Sequence, residues 1–76
     1  MRVHLAGYLA YYHDQKQSWF EHRLTAPVPL AQVLEQLGIP AGEVMLSVVN
    51  DNAVDLNSAV VNDSDTVQFY PPTDGG

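Results

Sequence analysis

Leu30, Val33, Leu34 and Leu37 stand at i, i+3, i+4 and i+7, which is one apolar stripe on a 3.6-residue period and the clearest helix in the chain. Pro29 suits the first helical turn, where a missing N–H costs nothing. Gly38 suits the left-handed position just past the end, and Pro40 blocks continuation. Glu35 and Gln36 fall on the wet side. A single helix with a single stripe must bury it, and the rest of the chain offers strands.

Val3, Leu5, Gly7 and Leu9 alternate with Arg2, His4, Ala6 and Tyr8 as a half-buried strand does, and Tyr11-Tyr12 either extends it or begins a turn. The polar run 13–18 reads as a hairpin loop. Trp19 to Thr25, with aromatic and β-favouring residues, reads as a second strand. Beyond the helix, Met45 to Val49 fits a central strand, and Asn50-Asp51-Asn52 fits a turn that tolerates positive φ. Val54 and Leu56 mark a brief fourth strand, Asn62 to Asp65 another turn, and Thr66 to Tyr70 the closing strand. Pro71 and Pro72 cannot donate to a ladder and end it. The expected order is β-β-α-β-β-β, an α+β domain with a mixed sheet packed on one main helix. The domain is expected to span residues 1–72, with 73–76 as a flexible C-terminal tail.

Seventy-six residues suffice for one domain with one core, and 46% hydrophobic against 16% charged residues is a globular balance. No cysteine is present, so disulfides and thiolate metal sites are excluded. A formal net charge of −6, with three Lys+Arg against nine Asp+Glu, repels a nucleic-acid polyanion and leaves no cationic stripe for phosphates. The same charge steers the protein toward a basic partner or simply keeps it soluble. No segment approaches the roughly 20 apolar residues of a membrane span. The N-terminus lacks a signal-peptide apolar region, and the expected location is cytoplasmic.

His4, His13 and His22 contain no pair at i, i+4, and the aspartates miss the Gly and Glu of a calcium loop. No metal site is expected. His4 and His22 become neighbours if the first two strands pair. Tyr8, Tyr11, Tyr12, Trp19 and Phe20 are five aromatics within 13 positions. Core packing is their default role, with an interaction or self-association patch as the alternative. Val67 and Phe69 share one face of the last strand and are the pair expected to be buried, with Tyr70 on the other face.

Several of these features together resemble the MoaD/ThiS sulfur-carrier family, relatives of ubiquitin with the β-grasp fold. They are the Val48-Val49-Asn50 strand end, Val54, the Asp63-Ser64-Asp65 turn, the Val67-Gln68-Phe69-Tyr70 strand, Pro71-Pro72 and the final Gly75-Gly76. The helix with Leu34, Leu37, Gly38 and Pro40 fits the middle of the family, and the first 25 residues match in hydrophobic pattern. Tyr70-Pro71-Pro72 is more like the molybdopterin synthase small subunit than the thiamine carrier. Asp63-Ser64-Asp65 replaces a common Asp-Gly-Asp. Asp74 stands where many relatives carry a small neutral residue, which changes the charge beside the reactive end.

A carboxylate that is to be activated inside another protein must be carried on a narrow tail. Glycines let the backbone pass close to channel walls, and Pro71-Pro72 stiffens the exit and lowers the entropy lost on threading. The resemblance implies the reaction. An activating enzyme uses ATP to adenylate the Gly76 carboxylate, and a sulfur donor displaces AMP to leave a thiocarboxylate. That group then passes sulfur to an acceptor, a synthase subunit in molybdopterin (molybdenum or tungsten cofactor) biosynthesis. The resemblance further implies that Pro71, Pro72, Thr73, Asp74 and Gly75 thread the partner, and that Tyr70 with Ala53 or Val54 docks on it. The chain itself would bind no cofactor and catalyse nothing. The rival expectations are a thiamine or other sulfur-transfer carrier, a ubiquitin-like modifier joined through Gly76 to a target lysine, and a plain β-grasp binding module.

Overall fold

The computed structural model describes residues 1–72. Its seven strands are β1 (Arg2–Leu5), β2 (Trp19–Glu21), β3 (Val28–Pro29), β4 (Leu46–Val49), β5 (Asn52–Val54), β6 (Val60–Val61) and β7 (Thr66–Tyr70), with one helix, α1 (Leu30–Leu37). Short 3₁₀ turns occupy Gly7–Tyr12 and Ala41–Glu43. Five strands form the main sheet in the order β2-β1-β7-β4-β5, with β1 and β7 parallel and the other pairs antiparallel. Along the chain these elements and α1 run β-β-α-β-β-β, a mixed sheet on one helix as in the ubiquitin-like β-grasp.

The helical stripe becomes the core. Leu30, Val33 and Leu34 are buried against Val3, Leu5, Val67 and Phe69, with Leu37 partly buried beside them. Glu35 and Gln36 are exposed. Gly38 adopts φ 75°, and the Gly38 and Ile39 N–H groups bond back to Glu35 and Leu34 carbonyls at 3.1 and 2.9 Å. That pair of bonds is the Schellman ending, and it requires the left-handed residue that glycine supplies. Asn50 (φ 49°) and Asp51 (φ 71°) likewise make the β4–β5 turn.

The first strand is shorter than its alternation suggested. Gly7 takes φ 55° and folds the chain into the 3₁₀ turn, so Leu9 reaches the core from that turn while Tyr11 and Tyr12 belong to neither strand nor hairpin. β2 stops at Glu21 because its partner runs out: the His22 N–H takes the carbonyl of Met1, and the Leu24 N–H goes to Asp63 instead. His22 therefore lies beside Met1 and not His4, whose partner is Trp19. Pro29 precedes the helix as its cap residue. β5 includes Asn52 and ends before Leu56. Two strands were not foreseen: β3 and β6 pair only with each other over two residues each, too short for any periodicity to announce them.

Candidate functional site

β7 carries the chain toward its tail, and its alternation sorts the site. Val67 and Phe69 are fully buried toward the helix, while Thr66, Gln68 and Tyr70 belong to the opposite, open face. Strand register extends that face sideways. Trp19, His4, Gln68, Val48 and Ala53 form one row across the five strands, with Tyr70 beside Leu46 in the next.

The row is partly aromatic. His4 stacks on Trp19 with ring centroids 4.6 Å apart and planes 8° apart, and it meets the Tyr70 ring edge-on at 5.9 Å. The Arg2 guanidinium lies 4.8 Å from the Trp19 ring centre, a cation–π distance. The Tyr70 hydroxyl donates to Gln68 Oε1 at 2.8 Å, which fixes its ring. His4 Nδ1 is buried and has no hydrogen-bond partner among the described residues. The ion pair of Arg2 with Glu21 at 3.9 Å is exposed and of the kind that adds little stability. The open face thus carries the aromatic group His4, Trp19 and Tyr70 beside Gln68, with Leu46 and Val48 next to it on β4, on a chain of net charge −6.

The end of β7 is gripped from both sides. The Ala6 N–H bonds to the Phe69 carbonyl at 3.0 Å, and the Met45 N–H bonds to the Tyr70 carbonyl at 2.8 Å. Pro71 then packs on Gly7, where an added Cβ would stand 3.2 Å from Pro71 Cγ. Gly7 answers two demands there, a positive φ and a close neighbour. Pro71 and Pro72 are half-buried and lie outside the ladder. Thr73, Asp74, Gly75 and Gly76, expected to thread and react, lie outside the described residues.

The expected docking trio is only partly brought together. Tyr70 and Ala53 share the open face, but β4 stands between their strands. Val54 pairs with Ser47, which pairs with Phe69, so Val54 turns inward and packs against the core. The apolar neighbour of Tyr70 is Leu46, 43% exposed. Sequence reasoning missed Leu46, His4, Val48 and Gly7 as site residues. The β4–β7 register would have found Leu46; Trp19, with core packing as its default role and an interaction patch as the alternative, is 41% exposed.

At the opposite end of β7 the turn 62–65 is closed by its own polar groups. Asp63 Oδ1 accepts the Leu24 N–H at 2.8 Å and the Met1 α-ammonium at 3.1 Å. These bonds, the backbone one foremost, hold the Asp63 carboxyl below its ordinary value of 3.8. Asp65 accepts from Asn50 Nδ2 and from the Asn62 N–H. The histidines are dispersed: His13 Nδ1 faces the Gln15 and Gln17 N–H groups, and His22 Nε2 lies 2.8 Å from Gln36 Oε1. Among the described residues no three His, Asp or Glu side chains are placed to hold a metal ion, and no helix is long and apolar enough to cross a membrane.

This geometry has known counterparts. The solution structure of a thiamine biosynthesis protein from Geobacter metallireducens is similar in fold, with TM-score 0.56 and 16% identity over 100% of this chain and 88% of that one. No curated protein matches the chain. The family model described as Mut7-C ubiquitin matches residues 3–75, nearly the whole sequence. With its ubiquitin-like β-grasp, of the same type as the MoaD/ThiS sulfur carriers, the chain belongs to the Mut7-C ubiquitin family.

Proposed function

We propose that this protein is a sulfur carrier whose working group is the Gly76 carboxylate. The observation that carries the reading is the course of β7. A strand locked between β1 and β4 runs straight into Pro71-Pro72, and Thr73-Asp74-Gly75-Gly76 follow in the sequence. The open face around Tyr70 and Leu46 is the docking surface, and the tail enters the partner. An adenylating enzyme joins the Gly76 carboxylate to AMP from ATP, with release of pyrophosphate. A sulfur donor of the persulfide class then attacks the acyl carbon and AMP leaves. Reductive cleavage of the S–S bond by a thiol leaves the thiocarboxylate on the carrier.

All catalytic side chains belong to the partners in this scheme, so the protein is a co-substrate, acting in the cytoplasm. The acceptor is a synthase subunit. Tyr70-Pro71-Pro72 favours molybdopterin synthesis as the destination, and the fold likeness to a thiamine biosynthesis protein favours thiamine as the second.

Intact mass after incubation with an adenylating enzyme, ATP and a persulfide donor tests the reading. The expected result is a gain equal to the difference between sulfur and oxygen, absent when Gly76 is deleted. No gain with an enzyme active on another carrier would sink it in favour of a binding module. Gly-Gly adducts on lysines of other proteins would instead identify a modifier.

A further inference from the structure

Parallel pairing decides what stands beside Pro71. Leu5 lies in register with Phe69, so the chain after β1 and the chain after β7 leave the sheet at the same end. β1 feeds the 3₁₀ turn Gly7–Tyr12, and Gly7 touches Pro71 at the first step of the exit. Any wall that encloses the tail therefore comes up against this turn.

The turn is anchored by one residue and offers another. Leu9 is fully buried, whereas Tyr11 is 71% exposed, the highest value among the exposed large hydrophobics. Tyr8 is engaged by a 2.6 Å bond to Glu43. Tyr11 borders a hollow of about 260 Å³ with Gly7, Ala10 and Lys16. Lys16, the chain's one lysine, sits at φ 58° in the following loop and forms no ion pair among the described residues. An exposed aromatic ring beside a solitary cation, on an acidic protein and next to the exit, matches the aromatic anchors and polar rims of interfaces. On the other side of the β7 end, where its N–H bonds to the Tyr70 carbonyl, Met45 is 70% exposed.

We propose that the 3₁₀ turn is a second docking element for the enzyme that adenylates the tail. The Tyr11 ring fills an apolar socket at the mouth of that enzyme's channel, and Lys16 meets a carboxylate on its rim. This rests on the carrier reading above and adds to it the residues by which the adenylating partner recognises this chain.

ATP–pyrophosphate exchange by a sulfur-carrier adenylating enzyme, measured against carrier concentration, tests the proposal. Tyr11→Ala is expected to raise KM about tenfold with kcat little changed, as loss of an aromatic anchor does. Tyr11→Phe is expected to restore KM because the ring is the anchor, and Lys16→Glu to raise KM more at low than at high salt. Val60→Ala, an exposed residue on β6, serves as the control, and thermal melts of all variants exclude unfolding. Exchange with the wild-type chain but a Tyr11→Ala KM within about twofold of it, too small for an anchor, overturns this proposal and leaves the carrier reading intact. No exchange with the wild-type chain overturns both.

Discussion

Where β1 and β7 begin, polar groups meet polar groups, and where they end, apolar groups meet solvent. At the first end Asp63, Asp65 and Asn50 clasp Met1, Leu24, Asn62 and Thr66 by hydrogen bonds of 2.8–3.1 Å. At the other, Pro71 packs on Gly7, Met45 and Leu46 adjoin Tyr70, and Tyr11, Met45 and Leu46 are 71%, 70% and 43% exposed. The clasp spends its hydrogen-bonding capacity inside the molecule, which suits a small domain without disulfides. The exit leaves apolar surface uncovered, which favours contact with another molecule over stability. One end holds the fold, and the other is the end proposed to meet a partner.

Variants should separate the two ends. Removal of Gly75 and Gly76 is expected to abolish thiocarboxylate formation by intact mass while the melting temperature stays at the wild-type value. Loss of fold stability on that deletion would break the division. Next in size, Gly7→Ala places a Cβ at φ 55° and 3.2 Å from Pro71 Cγ. It is expected to cost about 1–2 kcal/mol, read by urea unfolding, and to slow activation because the exit is displaced. At the clasp, Asn50→Ala loses the bonds to Asp65 and to the Thr66 N–H together with a residue tolerant of positive φ. It is expected to cost about 1 kcal/mol with exchange kinetics unchanged.

The smallest effect concerns acid. The Asp63 carboxyl is held below 3.8 in the folded protein, so its contribution is complete above that value and is lost as pH falls through the lowered folded value. A pH series of thermal melts should show Asp63→Ala less stable than wild type at neutral pH, with the two converging under strong acid. A constant difference down the whole series would remove the ionised clasp from this account. Activation measured at neutral pH should be unaffected.

Much of the fold was legible because its signals are local. The helix bounds 30–37, the left-handed Gly38, the Asn50-Asp51 turn and the last strand 66–70 each follow from neighbouring residues. The Val67–Phe69 pair in the core follows from alternation alone. The site was less legible. Leu46 became the neighbour of Tyr70, and Val54 turned inward, through a β7-β4-β5 order that no periodicity encodes. The β1 alternation ran on through Leu9, yet Gly7 ended the strand early, because a glycine at that point permits either course and packing against Pro71 selects one.

The sequence by itself determined the helix and the main strands, the faces of the helix and last strand, and the Pro71-Pro72 exit before two glycines, since propensity, period and turn chemistry act over a few residues. Only the tertiary structure decided which strands adjoin, and so which side chains share the open face and which turn stands beside the exit. Those are contacts between residues far apart in the chain: Leu5 with Phe69, Leu46 with Tyr70 and Gly7 with Pro71. Such contacts form where burial of the shared core offsets the entropy of closing the loops between them, a balance struck by the whole chain.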